Sequence, residues 1–409
     1  MPFFLRGTLL AAALTIPVSA ALAEPLSLEY AIARAIAATP LERAGDAAAD
    51  AARAARMQAG VRPNPSITVE GENLVGSGTY NVLRQAEITA TYSQPLEARA
   101  KREARVALAD RELGVVAATR RLMRLELAAT VQRAFLDVQI ADATVAVAET
   151  RLGVEREMQR EALRRVRGYK DPLFVETRAS ARVSQARIAL DEARAKAAGA
   201  RIGLATLVGA DPAQLTLTGE LLAEPAASVR LVAETALAEA ELARADAAVT
   251  VEATRRRQDW VVNGGARYLR GTDDVALVGG VTIPLGRFDR NQGNIARVQA
   301  ERQRLVFIAE AQRLERLRRS AVLGAEAAAV RRRAIAIVIE VYPQTTKTLQ
   351  QVRAGYARGG FTFRDMQDAA DAIIQAQAEW LDAVTRYRDL RTDYDRLTGR
   401  FDTDTGSRP

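Results

Sequence analysis

The sequence predicts a mainly α-helical chain, built twice over on one plan and interrupted by two β-hairpins. Three observations carry this reading. Alanine-rich stretches with interleaved arginine and glutamate run for tens of residues without proline. Two pairs of short segments alternate polar and apolar residues with period two. Landmarks of the first half return in the second at almost one spacing: Pro95-Leu96 and Pro284-Leu285 lie 189 apart, Leu190-Asp191 and Leu381-Asp382 191, Leu207-Val208-Gly209 and Leu397-Thr398-Gly399 190. Three matches at nearly equal offsets argue for duplication.

The elements follow in order. Arg6, the apolar run Leu9 to Leu22 and Ala21-Leu22-Ala23 form a signal-peptide pattern over residues 1–23. That run, about 14 residues, is too short to span a bilayer as a helix, and no later stretch is long and apolar enough. The first repeat, 24–209, opens with a helix from about Leu26 to Gly60, broken or kinked at Thr39-Pro40, and stopped by Pro63-Asn64-Pro65. A hairpin over 66–94 sets Ile67, Val69 and Gly71 against Ser66, Thr68, Glu70 and Glu72. Its second strand sets Ile88, Ala90 and Tyr92 against Glu87, Thr89 and Thr91, and Pro95 should end it. One helix of about 70 residues, or about 105 Å, is predicted over 97–167. After a turn at Gly168-Tyr169-Lys170, Asp171 as N-cap and Pro172 at the first helical position open a helix over 172–207.

A connector, 210–228, leads to a second repeat, 229–399, with a helix from about Val229 to Gln258 and a hairpin over 260–284. A long helix follows, which Pro343 should kink near Ile339 to Tyr342. A glycine turn and a helix over 362–398 close the repeat, and a flexible tail, 400–409, ends the chain. In each repeat two shorter helices match one long one, which suits antiparallel coiled-coil packing end to end.

Composition narrows function by exclusion. Cysteine and histidine are both absent. This removes disulfides, a lipid anchor on cysteine, ordinary zinc sites and thiol or histidine catalysis. Any enzyme would have to rest mainly on carboxylates, and no P-loop motif suggests that the chain powers transport itself; neither an enzyme nor a bound cofactor is expected. Met57, Met123, Met158 and Met366 are scattered as packing residues are, and no metal site is read from them. The net charge of +8 rests on arginines interleaved with carboxylates, the pattern of ion-paired helix faces and not of a nucleic-acid surface.

The hairpins point to a membrane. A two-stranded hairpin is marginal alone in water, yet strands of about nine to eleven residues cross a hydrocarbon core when tilted. Aromatics are expected near strand ends at Tyr80, Tyr92, Trp260 and Tyr268, as in an interfacial girdle. Four strands cannot close a barrel, so strands of several chains must share one; threefold symmetry would give about twelve.

The sequence resembles the TolC family of outer-membrane efflux proteins over essentially the whole mature chain. Leu26-Ser27-Leu28-Glu29-Tyr30-Ala31-Ile32, Pro63-Asn64-Pro65, the Pro-Leu hairpin exits and Ala354-Gly355-Tyr356-x-x-Gly359 carry the resemblance. Glu70-Gly71-Glu72-Asn73, Ser93-Gln94-Pro95-Leu96-Glu97 and Lys101-Arg102 look most like its cobalt–zinc–cadmium branch. The resemblance implies a homotrimer in outer-membrane lipid, with a twelve-stranded barrel and a helical barrel reaching into the periplasm. It also implies docking on a periplasmic adaptor (membrane fusion) protein and an inner-membrane resistance-nodulation-division pump, with heavy-metal cations as cargo. Other readings are an exit duct for organic drugs or secreted polypeptides, and a periplasmic helical scaffold.

The resemblance places a gate and docking surface at the two turns. Tyr356, Arg358, Gly359, Phe361, Arg364, Asp365 and Asp368 would form the constriction, and Gly168, Tyr169, Asp171, Pro172, Leu173, Gly355, Gly360 and Phe363 the adaptor-docking tips. Phe361 stands where well-known exporters carry an arginine, leaving Arg358 or Arg364 to take that part. Asp365 and Asp368 share a helix face, so they could ring the pore with carboxylates, or Thr362 and Asp365 could simply cap the helix. Glu70, Glu72 and Glu87 would face the barrel lumen.

Overall fold

The computed structural model describes residues 25–224 and 232–402. The expected signal peptide, residues 225–228 of the connector with 229–231 of the second repeat, and the tail beyond Asp402 lie outside the described residues. Helix α1 (Leu28–Ala38) and helix α2 (Pro40–Ala59) are separated at Thr39, whose backbone is extended. Each has its own cap: Ser27 Oγ accepts from the Tyr30 N–H (3.2 Å) and Thr39 Oγ1 from the Leu41 N–H (3.3 Å). Strands β1 (Ser66–Glu72) and β2 (Glu87–Leu96) precede the 69-residue helix α3 (Arg99–Arg167) and helix α4 (Leu173–Val208). The same order then recurs. Helix α5 (Val232–Arg255) leads to strands β3 (Trp260–Leu269) and β4 (Asp274–Thr282), helix α6 (Gln292–Ala336), helix α7 (Tyr342–Ala357) and helix α8 (Phe363–Thr398).

The helices make a thin wall. α1, α2, α4 and α5 pack along α3, α5 also touches α6, and α8 packs along the α6–α7 rod and against α3. The largest apolar cluster joins Leu28 and Ile32 to Val131, Phe135, Leu204 and Val208, where α1 and α4 meet the middle of α3. Below it, Ala148, Leu152, Ala186 and Ala193 form a seam whose small side chains let α3 and α4 approach closely. Helix α2 buries none of its residues. Ion pairs attach it instead: Arg120 and Arg124 of α3 both hydrogen-bond Glu42, holding its carboxyl down at about 2.

Several expectations need correction. Pro95 lies within β2, paired with Val261, because β1 pairing has already ended at Ser93. Pro284 falls beyond β4, and Tyr80 sits in a 3₁₀ turn (Gly78–Tyr80), not at a strand end. At Pro343 the rod carries a five-residue π turn, Ile337–Val341, immediately before the proline. This accommodates the missing N–H without ending the helix. At the start of the expected tail, Arg400 contacts Asp395 at 3.2 Å and Phe401 packs on the main cluster.

Candidate functional site

The turns α3–α4 and α7–α8 have matching backbones, 190 residues apart. Lys170 N–H donates to Arg165 O and Gly360 N–H to Gly355 O, both at 2.9 Å. Tyr169 N–H donates to Val166 O (3.0 Å) and Gly359 N–H to Tyr356 O (2.9 Å). The residue after each helix-ending turn is left-handed, Tyr169 with φ +54° and Gly359 with φ +84°. Glycine takes that conformation freely, whereas tyrosine is strained there.

The side chains join the two turns. The Tyr356 ring is wholly buried, and its hydroxyl donates to Asp171 Oδ2. Arg165, near the end of α3, grips the same carboxylate with two N–H groups (3.0 and 3.1 Å) and donates a third to the Tyr356 carbonyl (2.9 Å). Its guanidinium also lies 4.4 Å from the centre of the Tyr356 ring. The Arg165 hydrogen bonds hold the Asp171 carboxyl below the usual aspartate range, against the opposing effect of burial. Burial, then the bond to Asp171, pushes the Tyr356 hydroxyl above the usual tyrosine range. Asp171 therefore does not cap α4. Pro172 occupies the N-cap position, and no side chain caps that helix.

The second turn is built otherwise. The Phe361 ring lies against Gly355, where a Cβ would come 2.2 Å from the ring. Thr362 and Asp365 form a reciprocal capping box: Asp365 Oδ2 accepts from the Thr362 N–H and hydroxyl, each at 2.7 Å, and Thr362 Oγ1 from the Asp365 N–H at 3.2 Å. Those bonds hold the Asp365 carboxyl below its usual range. Phe363 tilts against Tyr356, with ring centres 6.1 Å apart. Arg358, Arg364 and Asp368 are exposed, and among the described residues neither arginine side chain makes a hydrogen bond or ion pair. The arginine that contacts Tyr356 is Arg165, from the other half of the chain. Gly168, Gly360, Tyr169 and Leu173 are exposed at the apex, Tyr169 almost completely, with Phe174 beside them.

A second set of charges ties the halves together above the turns. Arg182 of α4 binds both oxygens of Asp371 on α8 (2.9 and 2.8 Å) and stands 3.6 Å from the buried Glu155 of α3. Burial pushes the Glu155 carboxyl above its usual range. Sequence inspection missed Arg165, Arg182, Glu155 and Asp371, because their partners lie up to about 190 residues away.

At the opposite end, the four strands form one antiparallel sheet in the order β1-β2-β3-β4. The register puts Ile67, Val69, Ile88, Val262, Val275 and Leu277 on one face, and Glu70, Glu72, Glu87, Thr89, Asn263 and Arg267 on the other. The apolar face is the exposed one, and Leu277 is 90% exposed. Along β2 and β3 the other face is the more covered. This inverts the arrangement of a sheet in water. Among the described residues, the outer edges of β1 and β4 have no strand partner.

A profile of the outer membrane efflux protein family matches residues 31–210. Over 389 residues the chain is 30% identical to the cobalt-zinc-cadmium resistance protein CzcC of Cupriavidus metallidurans, covering 92% of this chain and 91% of that protein. The chain belongs to the outer membrane efflux protein family. It is also 28% identical to the nickel-cobalt-cadmium resistance protein NccC of Alcaligenes xylosoxydans xylosoxydans, over 70% of this chain and 68% of that one. The fold matches the solved outer-membrane channel OprN with a TM-score of 0.73 at 19% identity, covering 91% of this chain and 89% of that one. It is thus an outer-membrane efflux protein with the fold of solved outer-membrane channels, and not an enzyme.

Proposed function

We propose that three copies of this efflux protein close one twelve-stranded barrel in outer-membrane lipid, with the repeats 24–209 and 229–399 forming a helical tube beneath it. The observation that carries this reading is the inverted sheet. Its exposed apolar face suits lipid, its polar face suits a water-filled lumen, and its free edges require strands from other copies. The two turns form the periplasmic gate. Arg165, Asp171 and Tyr356 hold it shut, while the exposed Asp365 and Asp368 place carboxylates at the mouth. Tyr169, Leu173 and Phe174 offer exposed apolar surface for a periplasmic adaptor, which links the duct to an inner-membrane resistance-nodulation-division pump.

The cargo we infer is divalent heavy-metal cations, supported by the resistance functions in the names of CzcC and NccC. Two measurements test the reading. Detergent-extracted protein should run as a trimer by native mass spectrometry and conduct in planar bilayers; a water-soluble monomer would refute the channel assembly. Deleting the gene should raise sensitivity to cobalt, zinc and cadmium salts. Unchanged metal tolerance with new sensitivity to organic drugs would replace the cargo assignment and leave the channel intact.

A further inference from the structure

Glu72 and Glu87 are direct cross-strand partners on the polar face of the sheet. Like charges so placed repel, and neighbouring strands bring their side chains within about 5.5 Å. They sit at the end of the sheet remote from the helices, where β1 ends and β2 begins. From the next hairpin Arg267 of β3 reaches both carboxylates, at 3.0 Å to Glu87 and 3.4 Å to Glu72. Its Nε donates to the hydroxyl of the buried Thr89 (3.0 Å), which fixes the guanidinium in place. Glu70, one residue pair along the same face, has no ion-pair partner among the described residues. The cluster therefore sets three carboxylates against one guanidinium.

Two facing carboxylates with a cation between them have the geometry of a divalent-metal chelate, in which the guanidinium takes the cation's place. A duct must attract its cargo enough to admit it and hold it weakly enough to let it go. We propose that Arg267 sets the ion selectivity of the distal mouth. It acts as a built-in counter-cation that leaves a net negative lumen, favourable to cations, while denying divalent ions a chelating pair at the exit. This rests on the channel reading above.

The test is single-channel recording of the full-length protein in planar bilayers, under a potassium chloride gradient and then with cadmium chloride added on the distal side. Wild type should prefer cations and conduct through added cadmium. Arg267→Gln should raise the cation-to-anion permeability ratio roughly two- to fivefold at low salt and should be blocked by cadmium. Arg267→Lys should remain unblocked. Glu72→Gln/Glu87→Gln, which keeps Arg267, should bring the ratio below wild type. The neutral triple variant with Arg267→Gln as well should lose the block and show a higher ratio than Glu72→Gln/Glu87→Gln, a comparison that keeps the test open if Arg267→Gln alone fails to assemble. Wild type that never conducts overturns the channel reading itself. A conducting wild type whose Arg267→Gln variant keeps the parental ratio and passes cadmium unblocked overturns the role of Arg267, as does block that persists in the triple variant.

Discussion

The two helix–helix turns, α3–α4 and α7–α8, share a backbone and divide the work. In the first, the strained left-handed position is held by Tyr169, and the charges of Arg165 and Asp171 face the neighbouring turn. In the second, Gly359 takes the same position without strain, Phe361 covers Gly355, and the carboxylate of Asp365 serves its own helix. The second turn is thus self-contained. The first contributes the ion pair that receives Tyr356. The two turns share a hydrogen-bonding frame but carry different side chains on it, so the latch of Arg165, Asp171 and Tyr356 draws on both halves of the chain.

That asymmetry can be broken in steps. Tyr356→Ala should have the largest effect, emptying a fully buried aromatic site at a cost of about 3–5 kcal/mol, with raised resting conductance in bilayers. Asp171→Asn should follow, removing charge-assisted hydrogen bonds worth about 1.5–3 kcal/mol. The same kind of change at the carboxylate of the second turn, Asp365→Asn, should fray the start of α8 slightly and leave resting conductance at the parental level; equal leakage from both variants would contradict the division of roles. Asp171→Asn and Asp365→Asn can be compared in the same recordings.

The pH response should report on the Asp171 contacts. The folded-state pKa of Asp171 is depressed below the ordinary 3.8. Its stabilisation is therefore fully present above that value and is lost as pH falls through the depressed one. Resting conductance should stay flat from neutral pH down to about the ordinary aspartate value and rise only below it; a rise near pH 6 would assign the latch to another group. The smallest effect is expected from Tyr169→Gly, which gives the first turn the residue type of the second. It should raise thermal stability slightly by relieving about 1 kcal/mol of left-handed strain, and weaken adaptor capture by removing the most exposed aromatic of the apex.

The architecture was readable because it rests on periodicity. Alternation in Ile67, Val69, Ile88 and Ala90 marked the hairpins, and the proline-free run ending at Arg167 marked α3 to within two residues. The turns themselves were located by glycine. The latch was only half legible: Tyr356 and Asp171 stood out beside their turns, whereas Arg165 resembled every other arginine on a charged helix face. Its partner Tyr356 lies 191 positions away, a relation that only packing creates. The N-cap expected of Asp171 failed for the same reason, since a carboxylate that serves Arg165 and Tyr356 is no longer available to its own helix.

The π turn before Pro343 gives the two long rods different mechanics. α3 is continuous over 69 residues, whereas the second rod is interrupted 16 residues above its end, the length of α7. At 1.5 Å per residue those 16 residues form a lever about 24 Å long. A bend of about 10° at the π turn, where the α-helical hydrogen-bond ladder is already broken, would displace Tyr356 by about 4 Å. That displacement exceeds the reach of a hydrogen bond. A small flexure high in the wall would therefore disengage the turn below while α3 stays straight as the fulcrum.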